Sequence, residues 1–171
     1  DYLDIARLVT ALAALYEHQG ALDRAEPLLE RALAIREKAL GPDHLDVASS
    51  LEKLASLHGI QGAYGKAEPL LERALTIREK ALGLDHLDVA SSLNSLADVY
   101  RAQGSYKRAM SLFERALARS PGNHEFLYGL ALAYARMGDP QEAARHLSLR
   151  TSSPRNPPHA PIAPCRCDRA R

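Results

Sequence analysis

The sequence predicts an all-α protein, a solenoid of helical hairpins, on three observations. The stretch Ala25 to Ala55 returns almost letter for letter as Ala67 to Ala97, an offset of 42 residues, with only four of its 31 positions changed. A fixed period of that size marks an array of one supersecondary unit. Every segment between glycines repeats apolar residues at spacings of three and four, as Leu51, Leu54, Ala55 and Leu57 do, which is a helical face. Finally, Gly20, Gly62, Gly104 and Gly138 recur at corresponding places, where a helix stops and the chain needs a residue free to take positive φ.

Taken in order, the pattern predicts first helices over roughly 3–18, 45–60, 87–102 and 124–137, and second helices over roughly 23–39, 65–81, 107–119 and 140–149. Eight helices thus pair into four antiparallel hairpins, with units at about 1–40, 41–82, 83–121 and 122–149. Pro27 and Pro69 fall near the first turns of their helices, where a missing amide costs little. Asp43 and Asp85 follow a glycine and precede the next helix, so they are expected to cap it, with His44 and His86 in solvent. In LLERALAIREKAL, Leu33 and Ile35 turn inward, while Glu30, Arg31, Arg36, Glu37 and Lys38 form the solvated face. A coiled coil would not tolerate the Gly-Asp interruption at a fixed distance. Residues 150–171 lose all periodicity and hold five of the ten prolines beside five arginines, the composition of a disordered tail.

Composition narrows the function. Apolar content of 46% and charged content of 25% are those of a folded chain. Net charge is +1, but residues 151–171 carry +3 and the first 150 carry −2. That is not the basic footprint of a nucleic-acid binder. There is no apolar run long enough to span a membrane. The two cysteines, Cys165 and Cys167, are separated by one residue in the tail, too close for a zinc knuckle and too few for a disulfide framework. A reducing, cytoplasmic setting is expected. The chain starts at Asp1 inside a repeat, which reads as a fragment.

Candidate chemistry is sparse. Asp43, His44 and Asp46, repeated as Asp85, His86 and Asp88, are metal-ligand types, yet two or three ligands on one turn do not close a site. No phosphate-cradling glycine loop and no nucleophile with a base beside it stands out. No cofactor and no enzymatic activity is expected.

The recurring positions Leu93, Leu96, Ala97, Tyr100, Gly104, Ala109, Phe113, Ala116 and Pro121 resemble the tetratricopeptide repeat signature, with Leu where Trp often stands. The fourth unit repeats it with Leu127, Leu130, Ala131, Tyr134, Gly138, Ala143 and Leu147. The 42-residue units with LLERALxIREKALGxDHLDVA look more specifically like the repeats of kinesin light chain, although that family often has Pro where Leu45 and Leu87 stand. The resemblance implies a right-handed superhelix whose first helices line a concave face. A partner peptide would meet Arg7, Thr10, Glu17, Ser49, Glu52, Ser56, Ser91, Asn94, Asp98, Arg101, Tyr128, Leu132 and Arg136.

Two of the four differences in the copied stretch, Glu52/Asn94 and Lys53/Ser95, fall at or beside this face. Lys and Asn that grip chaperone C-termini in some relatives are absent, because Thr10, Ala14, Glu52 and Ser56 hold those places. Acidic side chains in the middle and Tyr128 and Leu132 at one end imply a neutral-to-basic peptide with an apolar anchor. The partner class is thus a protein or peptide, with no nucleic acid and no membrane. Self-association through exposed end repeats is also expected. A rival reading makes the array a regulatory segment of a larger signalling NTPase or kinase whose catalytic domain precedes Asp1.

Overall fold

The computed structural model describes residues 2–152, and side chains through Leu149. It contains α1 (Tyr2–His18), α2 (Leu22–Leu40), α3 (Leu45–Ile60), α4 (Tyr64–Leu82), α5 (Leu87–Ala102), α6 (Tyr106–Arg119), α7 (His124–Met137) and α8 (Pro140–Ser152). Helices pack in sequential pairs, α1 on α2 through α7 on α8, and each pair meets the next through α2·α3, α4·α5 and α6·α7. This is the stacked-hairpin array that the period implies. Helix α8 runs three residues into the segment read as a tail. The remainder of that segment, with Cys165 and Cys167, lies outside the described residues.

The hairpin turns follow from the glycines. Gly20, Gly62, Gly104 and Gly138 have φ of +74, +73, +78 and +83°. Each glycine amide donates to the carbonyl three residues back, and the next amide reaches five back, as in Ala21 N to Tyr16 O at 2.8 Å. These paired bonds close the helix end in a Schellman motif.

Two local expectations are corrected. The cap of α3 is not Asp43 but His44, whose Nδ1 accepts from the Asp46 amide at 3.1 Å. His86 does the same for α5, with Asp88 at 3.1 Å. An imidazole nitrogen here takes the role usually given to a carboxylate or hydroxyl, and both helices begin without proline, at Leu45 and Leu87. Pro27 and Pro69 lie inside α2 and α4, each at the sixth helical residue. Each therefore removes a bond within the helix rather than an amide that was free anyway.

The core is built from alanine and leucine. Ala13, Ala25, Ala55, Ala67, Ala97, Ala109 and Ala116 are essentially inaccessible, which lets helices approach closely. Phe113, fully buried, fills the space between α6 and α7. His58 is 4% exposed and lies between hairpins where other units carry tyrosine. Substituting leucine at Ala97 or Ala116 is expected to cost about 1–3 kcal/mol by overpacking. Exposed Glu30→Ala should stay within about 0.5 kcal/mol, and urea midpoints read the ranking. Glu72 would be a poor control, because it accepts the Tyr100 hydroxyl at 3.0 Å.

Residues assigned to a solvated face turn out to join the units. Glu37 on α2 pairs with Arg73 on α4 at 2.6 Å, and Glu79 on α4 pairs with Arg115 on α6 at 3.0 Å. These pairs are one period apart. Arg36 is half-buried, with Nη1 donating to Ser50 Oγ at 2.6 Å. At the N-terminal end, Tyr2, Ile5, Leu8, Leu12 and Leu15 form an exposed apolar row on α1. The corresponding Val47, Leu54 and Leu57 of α3 are buried. No helix among the described residues is long and apolar enough to cross a membrane.

Candidate functional site: clefts between the first helices

Two clefts open in series between successive hairpins. The first, about 170 Å³, is lined by Thr10, Ala14 and Glu17 of α1, Leu29 of α2, and Lys53 and Ser56 of α3. The second, about 420 Å³, lies between α3 and α5 and includes Glu52, Ser56, Ile60, Asp98 and Arg101, with Tyr64 and Leu71 of α4 beneath. Ser56 lines both.

The structure thus gathers Thr10, Glu17 and Ser56 in one cleft, and Glu52, Ser56, Asp98 and Arg101 in the next. Arg7, Ser49, Ser91, Asn94, Tyr128, Leu132 and Arg136 line neither cleft. Arg7 is exposed beside Asp4 at 3.3 Å. Ser49 Oγ donates to its own helix at Leu45 O, 3.2 Å away, and Ser91 is exposed with its carbonyl accepting Ser95 Oγ at 3.2 Å. Tyr128 and Arg136 are exposed and Leu132 is half-buried on α7. Asn94 Nδ2 reaches Asp98 Oδ2 at 3.5 Å, while its Oδ1 is buried with no partner among the described residues.

The charges in the second cleft are internally matched. Arg78 of α4 forks onto Glu52, Nη1 donating to Oε1 and Nη2 to Oε2, the latter at 2.7 Å. Ser92 of α5 donates its hydroxyl to Glu52 Oε1 at 2.8 Å and accepts from Arg78 at 2.5 Å. This three-helix cluster joins α3, α4 and α5. Asp98 is held by Arg101 through Nε at 3.1 Å and Nη2 at 3.0 Å. At Tyr100 of α5, burial raises the phenol to about 12, helped by Glu72 and Glu68. The phenol therefore remains a neutral donor to Glu72.

Sequence reasoning missed Ile60 and Tyr64, which line the second cleft, and the two arginines Arg78 and Arg36, which bond Glu52 and Ser50. The available signal was the verbatim repetition of Arg36 as Arg78, while the residues before them, Thr10 and Glu52, differ. Among the described residues no group of three His, Cys, Asp or Glu is placed to hold a metal ion.

Among the described residues, eight helices in four stacked hairpins define a helical-hairpin solenoid. The chain belongs to the tetratricopeptide repeat family, which matches residues 4–80 and 52–121 and, through a second variant of the repeat, 100–160. Its structure is similar to the putative kinesin light chain of Podosopora anserina with nearly identical TPR-like repeats. The identity is 29%, the TM-score 0.78, and the match covers 86% of this chain and 74% of that one. It also resembles BtubC (BKLC) from P. vanneervenii, with 24% identity, TM-score 0.78, and 99% and 73% of the two chains covered. MamA shares the fold at 18% identity and TM-score 0.67, over 85% of this chain and 76% of that one. No curated protein matches the sequence.

Proposed function

We propose that this array is a protein-interaction scaffold that holds a peptide segment along the face formed by α1, α3, α5 and α7. The observation that carries this reading is the coincidence of clefts with sequence divergence. Glu52/Asn94 and Lys53/Ser95 differ within a stretch otherwise nearly copied, and Glu52, Lys53 and Ser95 line the two clefts. Recognition would rest on shape, apolar contact and a few hydrogen bonds.

The partner's charge follows from the pairing inside the clefts. Glu52 and Asp98 are each held by an arginine, so the middle of the groove attracts basic groups less than its composition implies. A near-neutral segment with a leucine or aromatic anchor fits best. Ile60, 64% exposed beside Tyr64, and Tyr128, 47% exposed on α7, are the apolar places for such an anchor. The exposed row on α1 supports self-association through the end hairpins as a companion reading.

Selection from a displayed library of random peptides tests the groove. Ser56→Trp fills both clefts from an exposed position on α3, so peptides enriched on the parent should bind it at least about tenfold more weakly. Its melting temperature should stay unchanged. Equal binding of the same peptides to parent and Ser56→Trp would rule the groove out.

A further inference from the structure

The repeat contains its own comparison for one arginine. Arg78, Ser92 and Glu52 form a closed cluster in which a carboxylate receives a guanidinium fork and a serine hydroxyl. One period earlier the same frame is present as Arg36 on α2 and Ser50 on α3, with Nη1 to Oγ at 2.6 Å. The glutamate is not. Its place is held by Thr10, whose hydroxyl turns back to Ala6 O at 2.7 Å.

Ser50 is 2% exposed and Ser92 fully buried, so both hydroxyls are built into the fold. Their protons go to different places. Ser92 donates to the Glu52 carboxylate, whereas Ser50 donates to the carbonyl of Asp46 on its own helix at 2.9 Å. Among the described residues no carboxylate pairs with Arg36. A guanidinium is always charged and its donors are set for a carboxylate fork, so half of this recognition unit is in place without its anion. Lys53 lines the adjacent cleft together with Thr10 and Glu17.

We infer that Arg36 and Ser50 form a carboxylate-binding subsite at the N-terminal end of the groove. The ligand is a glutamate side chain of the bound segment, because the occupant in the next unit is a glutamate side chain. On binding, Nη1 and Nη2 of Arg36 take the carboxylate, and the Ser50 hydroxyl turns from Asp46 O to the new acceptor. The arginine belongs to the second helix of its hairpin, as Arg78 does one period later, and Thr10 holds the position that Glu52 holds there. This assignment rests on the groove reading for its peptide, but the subsite is testable alone.

The probe is N-acetyl-glutamate methylamide, titrated while the Nε–Hε signal of Arg36 is followed by NMR and assigned by its loss in Arg36→Lys. A saturable shift is expected in the parent, none with the glutamine analogue, and none in Thr10→Glu, which supplies its own carboxylate. Thr10→Glu should also raise the melting temperature, as it restores the closed cluster. Equal shifts with the glutamine analogue, or a full response in Thr10→Glu, would overturn the subsite. A response to N-acetylalanine alone would overturn the side-chain assignment in favour of a chain terminus. Peptides selected on the parent should carry an enriched Glu that selection on Thr10→Glu loses. If both select the same peptides, the subsite falls while the groove stands; if neither selects any, the groove falls and the titration still decides the subsite.

Discussion

Phe113→Ala should cost about 3–5 kcal/mol, the largest loss expected from any single truncation in this chain. Phe113 is the largest fully buried side chain, and its ring stands against Gly129, joining α6 to α7. In an array each unit is stabilised by its neighbours. The loss should therefore appear as early melting of α7 and α8, with their amides exchanging before those of α3 to α5. A Cβ at Gly129 would lie 2.4 Å from two Phe113 ring atoms. In the parent, Gly129→Ala should then be destabilising, since overpacking of about 1–3 kcal/mol exceeds a helix-propensity gain of roughly 1 kcal/mol. In the Phe113→Ala background the ring is gone and only the gain remains, so the sign should reverse. A urea double-mutant cycle measures this, and additive effects would mean that ring and glycine do not meet.

Helix order and ends were legible because glycines and apolar spacing act within a few residues of one another. The Schellman turns at Gly20, Gly62, Gly104 and Gly138 need only local backbone freedom, and the sequence displays it directly. The caps were less legible: Asp is the commoner capping residue, and nothing in the letters says that His44 turns its Nδ1 onto the Asp46 amide. The faces of α2 and α4 were legible only in part. Arg36 and Arg78 have the spacing of solvent-facing residues, yet superhelical stacking brings Ser50 and Ser92 against them. The pairing of Glu52 with Arg78 joins residues on different helices, and no periodicity encodes it. The close approach of Gly129 to Phe113 is likewise a product of how α6 crosses α7. Of the thirteen groove positions, Thr10, Glu17, Glu52, Ser56, Asp98 and Arg101 line the clefts, while Arg7, Ser49, Ser91 and Asn94 on the same helices do not, and Tyr128, Leu132 and Arg136 lie further along the array.

Breaking the Glu52–Arg78–Ser92 cluster should have the second large effect. The Arg78 side chain is 12% exposed and that of Glu52 24%, so water replaces a lost partner poorly. Arg78→Gln leaves the Glu52 carboxylate with Ser92 alone and should destabilise by about 1.5–3 kcal/mol, the range for hydrogen bonds to charged groups. The higher penalty known for fully buried pairs does not apply at this exposure. Glu52→Leu combined with Arg78→Leu should recover much of the loss, because neither charge is then left without its partner. The more exposed pair Glu37–Arg73, with side chains 32% and 41% exposed, supplies the contrast. Arg73→Gln should cost less than about 1 kcal/mol and lose most of that in high salt, where exposed charges are screened. Chemical denaturation at low and high salt reads both. Equal costs for Arg78→Gln and Arg73→Gln, or full additivity of the Glu52 and Arg78 substitutions, would show that the three-helix cluster is not holding α3, α4 and α5 together.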